Sequence, residues 1–300
     1  MVHLERIFVH PIKSLDPTPV DRATLVENGA LEWDRRYAIL DQSGEYVNGK
    51  RERSIHRLRT SYDLDRMTVT IGTTLATDGR VDAETPATDE RANAEGRTNT
   101  EGTTRTFHPE EQTFHLEEDR ETLESWLTDF FGYDVHLVRD DEGGYPDDTD
   151  ASGPTLISTE TLDAVSAWFD DIDVAEMRRR LRANLELSTP TAFWEDRLYE
   201  KPGRAVPFTI GTTRLYGINP CQRCVVPTRH PDTGERTPGF QERFVSQREA
   251  TLPEWADRAW FDHYFRLMVN TKVPESDWGE TLAVGDELET GDSSVPVTDQ

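Results

Sequence analysis

Short runs that alternate apolar and polar residues, each cut off by a turn signal, fill the first 85 positions of this 300-residue chain. Residues 3–9, 20–26, 36–41, 45–48, 57–64 and 67–72 read as strands, with turns at Asn28-Gly29 and Ser43-Gly44. Pieces this short cannot bury a face alone, so the pattern predicts a sheet or small barrel. The rest of the chain mixes periods. Helices are predicted at 119–131, 158–169, 174–181, 240–248 and 254–268. Asp119 and Ser158 are placed as N-caps and Gly132 as a stop. Further strands are predicted at 134–139, 184–188, 207–210, 213–217 and 281–288. The expected class is mainly β (α+β).

The segment 140–150, DDEGGYPDDTD, reads as a linker, which divides the chain into domains 1–145 and 146–292. Residues 84–113, poor in large apolar side chains, read as a flexible insertion, and 293–300 as a polar tail.

Charge then narrows the partners. Fifty-eight acidic residues against 33 basic ones give −25, which argues against nucleic acid or an anionic membrane, since both need Lys/Arg patches. Seven Trp, eight Tyr and twelve Phe supply a core and argue against disorder. Only four lysines occur, so 29 of the basic residues are arginine. This acidic, lysine-poor balance suits a high-salt, haloarchaeal-type cytoplasm, where concentrated salt screens self-repulsion. No apolar run reaches membrane-spanning length, and the apolar stretch near Met1 is too short for a signal peptide, so a cytoplasmic location is expected.

The two cysteines stand three apart as Cys221-Gln222-Arg223-Cys224, followed by Val225 to Gly234. A disulfide framework is excluded. Four readings of the pair are open. A structural zinc site wants four ligands, and only His230 is near. A thioredoxin-like dithiol wants a helix starting at the motif, which Pro227 ill suits. Two cysteines packed in a turn would do no chemistry. One thiolate on a soft metal within a cofactor is the fourth, with Arg223 as a cation favouring it.

A resemblance weights the fourth. The loop Cys221–Cys224 with His230-Pro231-Asp232-Thr233-Gly234 resembles the "CxRC…DPDTG" signature of the MOSC family, the molybdenum-cofactor-sulfurase C-terminal domain. His10-Pro11-Ile12-Lys13-Ser14 resembles its "yPIKS", and Gly29 with Asp34 to Asp41 its "G…DRrwmlvD". Arg182-Ala183-Asn184-Leu185 resembles "RFRPNIvv", with Ala183 where Pro is usual and Leu181 where Phe is usual. Phe193 to Asp196, Ile210-Gly211 and Val284-Gly285-Asp286 match further blocks in family order.

The resemblance implies a MOSC-type N-terminal β-barrel followed by a MOSC β-barrel domain with peripheral helices. It is similar in architecture to the amidoxime-reducing and N-hydroxylated-base-detoxifying proteins. It implies a molybdenum cofactor (Mo-molybdopterin), with Cys224 as catalytic residue and metal ligand. Lys13, Ser14, Arg35, Ser152, Arg182, Asn184, Gln222 and Arg223 are its implied cofactor-binding set, in a cleft between the domains. Ser158 is expected only to cap its helix, and Phe193, Glu195 and Asp196 to fix the fold. The implied reaction is reduction of a small N-hydroxylated or N-oxide substrate, with His230 the weak candidate acid. The chain lacks cysteines for an Fe–S cluster, so electrons are expected from a separate ferredoxin- or flavoprotein-like partner. The family's association with pyridoxal phosphate finds no identifiable lysine site here. Two other classes stay open: a non-catalytic carrier of cofactor or persulfide sulfur, and a CxxC dithiol redox protein.

Overall fold

The computed structural model describes residues 1–74, 111–291 and 293–297. Strands β1 (His3–Val9), β2 (Thr18–Val20), β3 (Arg22–Thr24), β4 (Tyr37–Asp41), β5 (Leu58–Asp63), β6 (Thr68–Thr73) and β7 (Gln112–His115) precede helix α1 (Arg120–Phe131). There follow β8 (Val135–Arg139), β9 (Leu156–Ser158), α2 (Thr159–Ser166), α3 (Val174–Leu181), β10 (Leu185–Ser188), β11 (Arg204–Ile210) and β12 (Thr213–Gln222). The chain continues with α4 (Phe240–Thr251), β13 (Arg266–Lys272), β14 (Thr281–Ala283), β15 (Leu288–Thr290) and β16 (Val295–Pro296). The mainly β, α+β class expected from the sequence is what forms.

The largest sheet runs β15-β11-β12-β13-β9-β10-β1-β2, with β16 also on β11. It therefore takes its first strands from one half of the chain and the others from the second half. β1 pairs antiparallel with β10, placing Ile7 opposite Leu185. A bulge between Leu4 and Arg6 shifts the alternation, so Leu4, Ile7 and Val9 all reach the core. β3 pairs with β14, a second crossing. Leu4, Ile7, Leu156, Leu185, Phe208 and Val269 share one fully buried core that holds the two halves together. Each such side chain contributes about 1.5–3 kcal/mol on burial.

A second core belongs to the first half. There β4–β8 and β5-β6-β7 pack against α1 through Leu123, Trp126 and Leu127. Gly132 ends α1 in the left-handed region, with its N–H on Thr128 O at 2.8 Å. Asp119 does not cap α1: its Oδ2 accepts the His115 N–H instead. A third, aromatic core joins α2, α3 and α4. Ser158 caps α2 as expected, accepting from Thr161 N.

Four expectations need correction. Residues 254–268 are not a helix; a 3-10 turn at Arg258–Trp260 leads into β13. The aromatic spacing there imitates a helix because Trp260 and Phe261 pack on the first core, while Phe265 and Leu267 pack in the third. The stretch 281–288 is two short strands divided by Gly285, and 45–48 contributes only a bridge from Tyr46 to Leu40. The expected tail begins as β16 on β11. The expected insertion at 84–113 lies almost wholly outside the described residues.

Candidate cofactor site

Between the halves lies a cavity of about 490 Å³, within the range of small-ligand pockets. The first half lines it with Ser14, Arg35, the Asn48-Gly49-Lys50 loop and His56. The second supplies Arg182, Asn184, Cys221, Gln222, Arg223 and Cys224. Its charge inverts that of the protein. Eight Arg and Lys side chains line it against four Asp, in a chain whose net charge is −25.

The backbone explains how the side chains get there. Ser14, Arg35, Arg182 and Met268 all line the cavity in the left-handed region, at φ 74°, 52°, 59° and 74°. Each such non-glycine residue costs on the order of 1 kcal/mol, and strain of this kind gathers at ligand sites. Arg182 is the residue that ends α3, with its N–H on Arg178 O, where a glycine would be the unstrained choice. The guanidinium turned toward the cavity is what the strain accompanies.

Cys221 is the penultimate residue of β12, and Cys224 follows on the irregular stretch before a 3-10 turn, Val226–Thr228. Both are free thiols that line the cavity. Cys224 makes no hydrogen bond among the described residues. Arg223 does not attend it: Nη1 lies 3.2 Å from Cys221 Sγ and from Met268 Sδ, and Nη2 donates to Leu181 O. The sequence expectation that Arg223 steadies Cys224 is corrected, because this arginine reaches back across β13. Arg180 holds the turn after Cys224 by donating to Pro227 O. Asp232, from the HPDTG turn, binds Arg179 at 2.7 Å and Arg59 at 3.3 Å, and so ties the cysteine loop to both halves. No helix starts at the CxxC, and no three His/Cys/Asp/Glu side chains converge among the described residues. The geometry therefore lacks what a thioredoxin-like dithiol or a zinc cage requires.

The remaining expected residues divide. Arg35 lines the cavity, ion-paired to Asp34 and 3.4 Å from Asp147. The Arg182 side chain makes no hydrogen bond or ion pair among the described residues, and burial with the nearby Arg35 lowers its pKa. Lys13 does not line the cavity: its Nζ is engaged by Tyr145 O at 2.8 Å, Pro146 O and Asp147 Oδ1 at 2.6 Å. The Asn184 amide is likewise engaged, accepting from Thr155 and donating to Phe8 O, so it pins β10. Ser152 reaches the cavity wall but donates to Asn28. Gln222 is exposed at the rim. His230 lies outside the lining, with Nδ1 accepting from Asp232 N.

Sequence reasoning missed His56 and Asp147. Burial pushes His56 down to about 4, outweighing the Gly49 carbonyl beside it, so a neutral imidazole faces the cavity at pH 7. Partial desolvation beside the cavity opposes ionisation of the solvent-reachable Asp147 carboxyl, but Arg35 and Lys13 prevail and hold it well below the usual range. Nothing in local spacing marks His56. Asp147 stands in an acidic run that resembles solvated linker.

Residues 1–134 match the model of the MOSC N-terminal beta barrel domain and 149–289 that of the MOSC domain. The chain belongs to the MOSC-domain family. Proteins of this family are associated with molybdenum-cofactor sulfurases and molybdenum binding. Comparison with curated proteins gives no match. No helix among the described residues is long and apolar enough to cross a membrane.

The residues fit a molybdopterin-type group. A soft metal asks for a thiolate, and Cys224 is an uncommitted thiol on the cavity wall. A pterin phosphate asks for donors with positive charge, and Arg182 and Arg35 offer them.

Proposed function

We propose that this protein holds a molybdenum cofactor between its halves and reduces small N-hydroxylated or N-oxide substrates. The observation that carries this is a cation-lined cavity, in an acidic protein, with Cys224 free on its wall. Cys224 would ligate the metal. Arg182 and Arg35 would face the anionic part of the group, and Ser14 its edge. When bound, the cofactor supplies two-electron reduction; the protein supplies position and electrostatics. The strained carriers of Ser14, Arg35 and Arg182 fix donor directions before the ligand arrives. His56, neutral at pH 7, offers a hydrogen-bonding group at the wall. Electrons come from a separate donor protein.

Protein purified from molar KCl is assayed for Mo, W, Zn and Fe per chain. The expected result is about one Mo or W per chain, lost in Cys224→Ala and retained in Cys221→Ala. Zinc alone, or no metal, would sink the reading. A second reading has one supporting contact, the Arg223 cation on Cys221 rather than Cys224. A sulfur carrier working through Cys221 would lose persulfide in Cys221→Ala and keep it in Cys224→Ala.

A further inference from the structure

The segment predicted as a linker is a wall of the site. Gly143, Pro146, Asp147, Asp148, Ala151 and Ser152 all line the cavity. This strap is latched along its length. Tyr145 N donates to Arg35 O at 2.9 Å, Asp148 Oδ2 accepts from Asn270 Nδ2 at 3.2 Å, and Ser152 is bound to Asn28. Its bend needs glycine. Gly144 sits at φ 67°, and a Cβ there would stand 2.6 Å from Arg35 O.

Between the latches the strap presents one carboxylate to two buried cations. Asp147 Oδ1 lies 2.6 Å from Lys13 Nζ, and Oδ2 lies 3.4 Å from Arg35 Nε. The cation side chains are 9% and 11% exposed, while that of Asp147 is 58% exposed. An anion reachable from solvent thus covers cations that are not. All three acceptors of Lys13 belong to residues 145–147, so strap and ammonium separate together. The cluster also holds an uncommitted cation: the Arg182 guanidinium, with Asp147, Asp16 and Asp34 nearby, makes no hydrogen bond or ion pair among the described residues. A phosphate, with about −1.5 to −2 charge and three acceptor oxygens, could engage it together with Lys13 and Arg35, which one carboxylate does not.

We propose that Asp147 is an internal stand-in for an oxyanion, which an incoming phosphate group displaces from Lys13 and Arg35, releasing the strap. Binding of the anion and opening of residues 143–150 are then one equilibrium. A ligand shifts it only by its advantage over the tethered carboxylate. This rests on the function proposed above only for naming the natural ligand, the phosphate of the cofactor; the exchange itself needs no metal.

The test uses cofactor-stripped full-length protein at fixed KCl, titrated calorimetrically with inorganic phosphate. Asp147→Asn is expected to bind phosphate about tenfold more tightly than wild type. Asp16→Asn, which removes equal charge from the same cavity without touching Lys13 or the strap, is expected to change it less than twofold. In wild type, hydrogen exchange across 143–150 is expected to speed up on adding phosphate. Equal gains in both variants would reduce the effect to bulk charge and overturn the proposal. Unchanged or weaker binding in Asp147→Asn, no phosphate binding at all, or a strap that exchanges more slowly with phosphate would overturn it too. If the exchange occurs while metal analysis is negative, the stand-in survives and the molybdenum reading alone falls.

Discussion

Among the described residues, a brace of charge in the second half and the charge beside the cavity are built to opposite rules. In the second half, Glu195 accepts from Ser158 N, Ser158 Oγ and Thr161 Oγ1, all within 3.2 Å. Beside it Asp196 receives Arg248 Nη2 at 2.8 and 2.6 Å, with both side chains at most 2% exposed. The Arg248 guanidinium lies 4.7 Å from the Phe193 ring centre and 5.4 Å from that of Phe261. Each carboxylate has a dedicated partner and little solvent. Beside the cavity, by contrast, Lys13 and Arg35 meet a solvent-reachable Asp147, Arg35 and Arg182 stand on left-handed backbone, and the Arg182 guanidinium makes no ion pair among the described residues. The first arrangement can only be broken. The second can exchange partners, and that difference separates a brace from a site better than burial alone does.

The comparison breaks most readily at Arg248. Arg248→Ala leaves Asp196 as an uncompensated buried charge and should cost about 3–5 kcal/mol, read from the denaturant midpoint. A loss below about 1 kcal/mol would erase the distinction.

Next in size is a pH effect from the cavity side. Burial pushes His10 down to about 4 from 6.5, against the Asp34 contact at 3.3 Å that favours its charged form. Between those values the unfolded chain binds the proton and the folded chain does not, so stability is lost as pH drops through that window. The stability difference between wild type and His10→Gln should shrink by roughly 3 kcal/mol from pH 7 to pH 4. A difference that stays flat would mean His10 is protonated in the fold.

The smallest stability effect is expected at Arg182. Arg182→Gln should shift unfolding by less than about 0.5 kcal/mol while abolishing metal retention. A large stability loss would make Arg182 part of the brace.

Much of this was legible in the sequence, for local reasons. Strand β1 alternates, α1 shows one apolar face with its glycine stop, and Ser158 announces α2. Site residues that come from short motifs, such as Ser14, Arg35, Arg182 and Cys224, do meet at one cavity. What stayed hidden is non-local. Nothing near Lys13 says that residues 145–147 cover it, and nothing in Arg223 says that it turns to Cys221 rather than Cys224. The aromatic run at 255–267 misled because two different cores claim its residues, and periodicity assumes one.

The pairing of β1 with β10 also orders events during synthesis. His3 lies opposite Ser188, so the first strand leaves the ribosome long before its neighbour is made. At ordinary elongation speeds of about 5–20 residues per second, that wait is roughly 10–40 s. Through it, β1 carries Leu4, Ile7 and Val9 without the core that later buries them. The nascent first half must therefore be shielded, or kept open, until the second half arrives to complete it.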